Sequence, residues 1–294
     1  MEFIKPGVNI DFIGKRKLFI SISIALIVIG LISIAIRGGL KYGIDFAGGT
    51  IIQIKFKKDI SISDLRKVIK KAKIQNFGDS KSEYLIKYPI SKSNTEKLQN
   101  QLRKILDKKF GKDTYIIRRV EMVGPKIGKD LRRKGVLAII IALIGILIYV
   151  TLRFEFRFAL GAVLALFHDV MITLGIFSIL NKEFDLTVLA AFLTIVGYSL
   201  NDTIIVFDRI RENMGKFLKS DFPSIINRSV NETLSRTILT SGTTMFVVLA
   251  LFLFGGGVIH DFALALLIGI IVGTYSSIYI ASPLVLLFEK KKWN

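Results

Sequence analysis

The stretch TVLAAFLTIVGYSLNDTIIVF, residues 187–207, is apolar enough to cross a bilayer yet carries Asp202 in its second half. A run of about 18 or more apolar residues reads as a membrane span. An ionisable side chain inside such a run is expensive, and it turns toward a partner or a water-filled path, often a proton or ion route. At 1.5 Å per residue Asp202 lies about 9 Å inside the end of the run, too deep for a short carboxylate to snorkel to water. These residues predict an energy-coupled membrane protein rather than a passive anchor.

Five further apolar runs flank this one, at 18–36, 135–152, 158–180, 238–254 and 262–288. They explain a hydrophobic fraction of 51% in 294 residues and a mean hydropathy of +0.53. The first run follows Lys15-Arg16-Lys17 but is longer than a signal core and has no small-x-small cleavage pattern, so it reads as an uncleaved span. The expected fold is an α-helical membrane protein with six transmembrane helices. One small extracytoplasmic α+β domain, ferredoxin-like in pattern, lies between helices 1 and 2. The expected segments are a cytoplasmic N-terminus (1–17), the first span (18–36), the outer domain (37–134), a five-helix region (135–288) and a basic cytoplasmic C-terminus (289–294).

Charge sets the orientation. The short segments on the side of the termini hold 14 Lys or Arg, against Lys182 alone in the short opposite loops. Basic loops stay cytoplasmic, so both termini are expected inside. Residues 37–134 hold 26 Lys or Arg and 10 Asp or Glu, and a long domain is largely exempt from that count. Lys129, Arg132, Arg133 and Lys134, just before the second span, run against it. The surplus suits a solvated surface, with anionic lipid headgroups or an acidic partner as sharper readings. Nucleic acid is not expected, because aromatic side chains do not alternate with the basic ones.

Within the outer domain, residues 50–56, 83–90 and 115–120 alternate like strands. Residues 63–73, behind a Ser63 cap, and 94–110 have helical spacing. This β-α-β-α-β order leaves one strand of a ferredoxin-like sandwich unlocated. Gly43-Ile44-Asp45-Phe46-Ala47-Gly48-Gly49-Thr50 forms its entry, with Asp45 able to cap amides and Gly48-Gly49 open to unusual backbone conformations. Val123-Gly124-Pro125-Lys126-Ile127-Gly128 forms its exit and has the composition of a hinge.

Tyr198, Asn201, Asp202 and Ile205 share a helical face, followed by a charged collar of Asp208, Arg209, Arg211 and Glu212. The fifth span opens with Arg236, and Thr240 and Thr243 fall on its stripe; Thr237, Ser241 and Thr244 lie on the adjoining one. Arg236 enters from the same side as Asp202 and at similar depth, so small shifts in their pairing could decide whether Asp202 holds a proton. His168-Asp169 in the third span is a second buried acid beside a group that titrates near neutrality. It reads equally as an extension of an ion path and as lateral packing.

The chain has no cysteine and two histidines, so neither a thiolate nor a histidine metal site is expected, nor any cofactor. It has no phosphate-binding loop and no hydrolase or kinase motif, so work must draw on an ion gradient or a partner.

GIDFAGGT at 43–50, VGPKIG at 123–128, FHD at 167–169, GYSLNDTIIVFDRIREN at 197–213 and LSRTILTSGTT at 234–244 together resemble the SecF family of protein-export membrane subunits. The resemblance runs in order over nearly the whole chain. It implies half of a transporter of the resistance-nodulation-division type, paired with the similar six-span SecD. It further implies association with the SecYEG channel, with YajC as an additional partner, and contact with translocating preprotein. The implied work is completion of polypeptide export by the proton motive force, without nucleotide hydrolysis. Asp202 and Arg236 match the residues that this family uses for proton conduction; H+ is the implied ion, with Na+ the alternative. Two other classes stay open: a proton-coupled exporter of lipid or small molecules, and a non-transporting assembly subunit.

Overall fold

The computed structural model describes residues 9–70, 72–78, 80–89 and 95–288, so the basic C-terminal segment and the first eight residues of the N-terminal one lie outside it. Helix α1 (Arg16–Ile36) leads through the short turn α2 (Ile44–Ala47) into a head domain. The head is built from β1 (Gly49–Phe56), α3 (Ile62–Val68), β2 (Lys73–Asn76), β3 (Glu83–Pro89), α4 (Thr95–Phe110) and β4 (Tyr115–Val123). Its four strands form one antiparallel sheet in the order β2-β3-β1-β4, a ferredoxin-like arrangement. Ile52, Ile54 and Phe56 alternate onto the face where Leu65, Ile69, Leu102 and Leu106 bury them.

The strand unlocated by pattern is β2, which begins at Lys73, the last residue of the stretch expected to be helix. Helix α3 ends at Val68, and its cap is Ser61, whose Oγ accepts from the Ser63 amide at 3.2 Å, not Ser63. Lys-Ile-Gln-Asn carries one apolar residue, too few to show alternation; Ile74 is nevertheless buried opposite Ile86. Ile90 and Asn94, the expected ends of a strand and a helix, lie outside the described residues.

Five long helical segments follow: α5 (Pro125–Arg153), α6 (Phe156–Ile179), α7 (Leu186–Lys216), α8 (Phe222–Phe254) and α9 (Gly256–Ser276). The last continues through a π turn (Ser277–Ala281) into α10 (Ser282–Leu287). With α1 they make six helices long and apolar enough to cross a membrane. The π turn ends just before Pro283, which cannot supply an amide, and Ser282 Oγ donates to the Ser277 carbonyl at 2.7 Å, a local hydroxyl-to-backbone bond of the kind that bends helices.

Helices α7 and α8 run far past the expected span ends. The collar at 208–212 is part of α7, and the two extensions are stapled together. Arg209 pairs with Glu212 and Glu232 at 2.6 Å each, and Asn213 Nδ2 donates to Glu232 at 2.7 Å. Likewise α5 starts at Pro125 rather than near 135, because Gly124 caps it and Pro125 takes a first-turn position that needs no amide.

Helices α1 and α6 meet backbone to backbone. A Cβ on Gly30 or on Gly175 would stand 2.7 Å from the other residue's Cα. Gly175→Ala therefore forces the helices apart, and thermal unfolding of the purified protein is expected to show a loss of about 1–3 kcal/mol. Gly145, on α5 with open space around it, is the opposite case. Gly145→Ala is expected to gain about 0.5–1 kcal/mol from helix propensity alone.

Candidate functional site

Asp202 is 1% exposed, although the helix that carries it has an open side. The buried arc of α7 is centred on Ser199, Asp202, Thr203 and Val206. Asn201 lies on the opposite side and is exposed, so it does not share the face predicted for it. Asp202 Oδ2 accepts from Ser241 Oγ of α8 at 3.2 Å, and Ser241 Oγ accepts from Thr274 Oγ1 of α9 at 2.7 Å. A hydroxyl relay across three helices thus ends on the carboxylate. Thr240 takes no part; its hydroxyl donates to the backbone carbonyl of Arg236 at 3.0 Å, as hydroxyls in helices commonly do.

Arg236 is exposed. Its side chain forms no ion pair among the described residues. Three hydroxyls on the same two helices are buried without a hydrogen-bond partner among the described residues: Tyr198 and Thr203 on α7, and Thr237 one turn before Ser241 on α8. Such groups cost about 1–3 kcal/mol each when left unsatisfied in a packed core. His168 Nε2, beside Asp169, is likewise buried without a partner among the described residues, so both buried acids sit on helices with unsatisfied polar groups.

Asp169 on α6 is the other buried acid, at 0% exposure. Its Oδ1 lies 2.8 Å from His168 Nδ1. Its Oδ2 accepts from Ser199 Oγ at 2.5 Å and from Ser276 Oγ at 2.8 Å. The His168 ring stacks on Tyr275, whose hydroxyl donates to the Phe19 carbonyl of α1 at 2.7 Å. This cluster ties α1, α6, α7 and α9 together. Ser199 and Ser276 escaped pattern reading, because a serine in an apolar helix acquires meaning only from the helix opposite.

The entry of the head locks onto the start of the Asp202 helix, and the exit packs against the entry. Asp45 caps α7 from outside, its Oδ2 accepting from the Leu186 amide at 3.1 Å beside Asp185's own cap on Val188 at 2.9 Å. Gly43 N donates to the Phe184 carbonyl at 2.9 Å, and Phe184 N to the Lys41 carbonyl at 2.8 Å. Gly49 has φ of 152°, and a Cβ there would stand 2.3 Å from the Tyr88 carbonyl oxygen. That close approach, together with the left-handed Gly48 at φ 84°, explains the glycine pair. Gly124, Pro125 and Gly128 form a capped strand-to-helix junction, where a Cβ on Gly128 would stand 2.8 Å from the Phe46 carbonyl oxygen. The junction is packed rather than slack. Among the described residues no three His, Cys, Asp or Glu side chains stand where they could hold a metal ion.

Comparison with known proteins converges on one family. The family model for the protein export membrane protein SecD/SecF, C-terminal, matches residues 102–291, and that for the SecD/SecF GG motif matches residues 32–60. The chain is 52% identical to the protein translocase subunit SecF of Calditerrivibrio nitroreducens, over 98% of this chain and 97% of that one. It is 46% identical to the protein translocase subunit SecF of Vibrio alginolyticus, over 97% and 91%. The crystal structure of SecDF, a translocon-associated membrane protein from Thermus thermophilus, superposes with a TM-score of 0.81 at 38% identity. That match covers 96% of this chain and 39% of the SecDF chain. By family model, by relatives matched along nearly their whole length and by fold, the chain belongs to the SecD/SecF family of protein-export membrane proteins, on its SecF side.

Proposed function

We propose that this multi-pass membrane protein is an ion-coupled subunit that helps complete polypeptide export, with Asp202 as the group that takes up and releases the coupling proton. The observation that carries this reading is the placement of Asp202. It is a buried carboxylate at the end of a three-helix hydroxyl relay, on helices that carry three buried hydroxyls without a hydrogen-bond partner among the described residues. A packing role needs a fully satisfied carboxylate, whereas exchange of a proton needs neighbours that can change partners.

Asn201 and Arg236 are each left exposed by the chain itself. A second six-span subunit of SecD type supplies the natural cover, since the SecDF structure joins both halves in one chain of which this one spans 39%. SecYEG, YajC and the translocating preprotein belong to the same reading, with the termini cytoplasmic and the head outside. Energy enters as an ion gradient rather than through nucleotide hydrolysis. Protonation of Asp202 changes its hold on Ser241, α7 shifts against α8, and Asp45 and Gly43 pass the motion to the head.

The test uses proteoliposomes holding this chain with its SecD-type partner, the channel and a stalled preprotein. An imposed proton gradient is expected to speed release, and a sodium gradient of equal size is not. A release rate indifferent to both gradients sinks the reading; a response to sodium alone reassigns the ion.

A further inference from the structure

A cavity of about 300 Å³ opens at the head-domain end of α1 and α6. Arg37, Lys41 and Lys182 line it together with Asn181 and Ser178, and no acidic residue does. Each cation has donor capacity to spare. Arg37 gives one N–H to the Ile179 carbonyl at 3.3 Å out of the five a guanidinium carries. Lys41 reaches Glu183 only at 3.9 Å, and Lys182 is held from behind by Asp261 at 2.7 Å. Gly38 and Gly39 follow Arg37 at φ 72° and 126°, with Gly39 in the lining, and open space stands where their side chains would be. Immediately beside the cations lie bare apolar side chains: Ile36 is 81% exposed, Ile179 46% and Leu180 50%.

We propose that this cavity binds one anionic phospholipid, its phosphate held by Arg37, Lys41 and Lys182 and its acyl chains lying along Ile36, Ile179 and Leu180. The pairing of a cationic pocket with an apolar track at the end of two membrane helices selects the ligand class. A free phosphate has no use for the apolar track. A choline or ethanolamine headgroup would bring a further cation beside Arg37 and Lys41, which have no carboxylate closer than 3.9 Å among the described residues, so a net negative headgroup such as phosphatidylglycerol is favoured. The inference is independent of the coupling role of Asp202.

The test takes the purified complex of this chain with its SecD-type partner in nanodiscs containing equal amounts of phosphatidylglycerol and phosphatidylcholine. Native mass spectrometry counts the lipids retained after the disc is stripped. The wild type is expected to keep phosphatidylglycerol selectively. Arg37→Gln with Lys41→Gln is expected to keep about twenty-five-fold less, from about five-fold per cation neutralised at an anionic lipid surface. Arg37→Lys with Lys41→Arg retains the charge and should retain the lipid, which separates charge loss from misfolding. Equal retention by the Gln variant, or equal retention of both lipids by the wild type, overturns the proposal. So does complete displacement by millimolar inorganic phosphate, which would mark a free-anion site, or loss of the partner subunit instead of lipid from the Gln variant.

Discussion

Asp202→Asn removes the uncoupler-sensitive part of preprotein release while the protein still folds and inserts. Asparagine keeps the shape of the carboxylate and an oxygen that accepts from Ser241 Oγ, now 3.2 Å away, so the relay to Thr274 survives. Stability is expected to stay within about 1 kcal/mol of wild type, the scale of one hydrogen bond changed from charged to neutral. The change removes the one group at this position that can be charged in one state and neutral in the other. A membrane potential supplies about 2.3 kcal/mol per charge per 100 mV, which corresponds to roughly fifty-fold in a rate if fully expressed. The measurement times preprotein release at the outer face, with and without an uncoupler, at matched membrane levels of variant and wild type. An Asp202→Asn variant with the wild-type rate and the wild-type sensitivity would leave this chain a scaffold, with coupling elsewhere in the complex. Ser241→Ala should fall between the two, because it cuts the relay and leaves the acid.

Asp202 could be read from the sequence because a charge in an apolar run is a one-dimensional signal. Its surroundings could not. Ser241 was one of several hydroxyls on two neighbouring stripes of the fifth span, and nothing in the fifth span alone says which stripe meets the fourth. Thr274 had no signal at all, since it lies in the sixth span and reaches Asp202 only through Ser241. Asn201 was placed with Asp202 on spacing, and the actual buried arc of α7 is centred about one residue further round, toward Ser199 and Thr203. The six spans were legible from hydropathy, but the helical extensions at 208–216 and 222–235 were not, because their stability comes from cross-links such as Arg209–Glu232. The strand β2 was lost for a similar reason: four residues with one apolar side chain are a strand only because β3 is beside them.

Asp169→Ala is expected to damage the fold itself, and this separates the two buried acids. Asp202 accepts one hydrogen bond, whereas Asp169 holds His168, Ser199 and Ser276 at 2.8, 2.5 and 2.8 Å. Alanine leaves His168 and Ser199 buried without this partner, while Ser276 keeps the Gly273 carbonyl at 3.1 Å, and each orphaned group costs about 1–3 kcal/mol. The sum is on the order of 3–5 kcal/mol after the neighbours relax, comparable to breaking a buried ion pair by removing one member. Because the cluster joins α1, α6, α7 and α9, the loss should appear as a lower melting temperature in detergent and as less protein in the membrane. Asp169→Asn keeps an acceptor for one serine and a donor for His168, so it should lose only about 1–2 kcal/mol. The reverse outcome is equally informative. An Asp169→Ala protein that melts like wild type yet loses proton-driven release would move Asp169 and His168 onto the ion path. Ser199 would then be the link between the two acids, since it donates to Asp169 and stands one helical turn before Asp202 on the same helix.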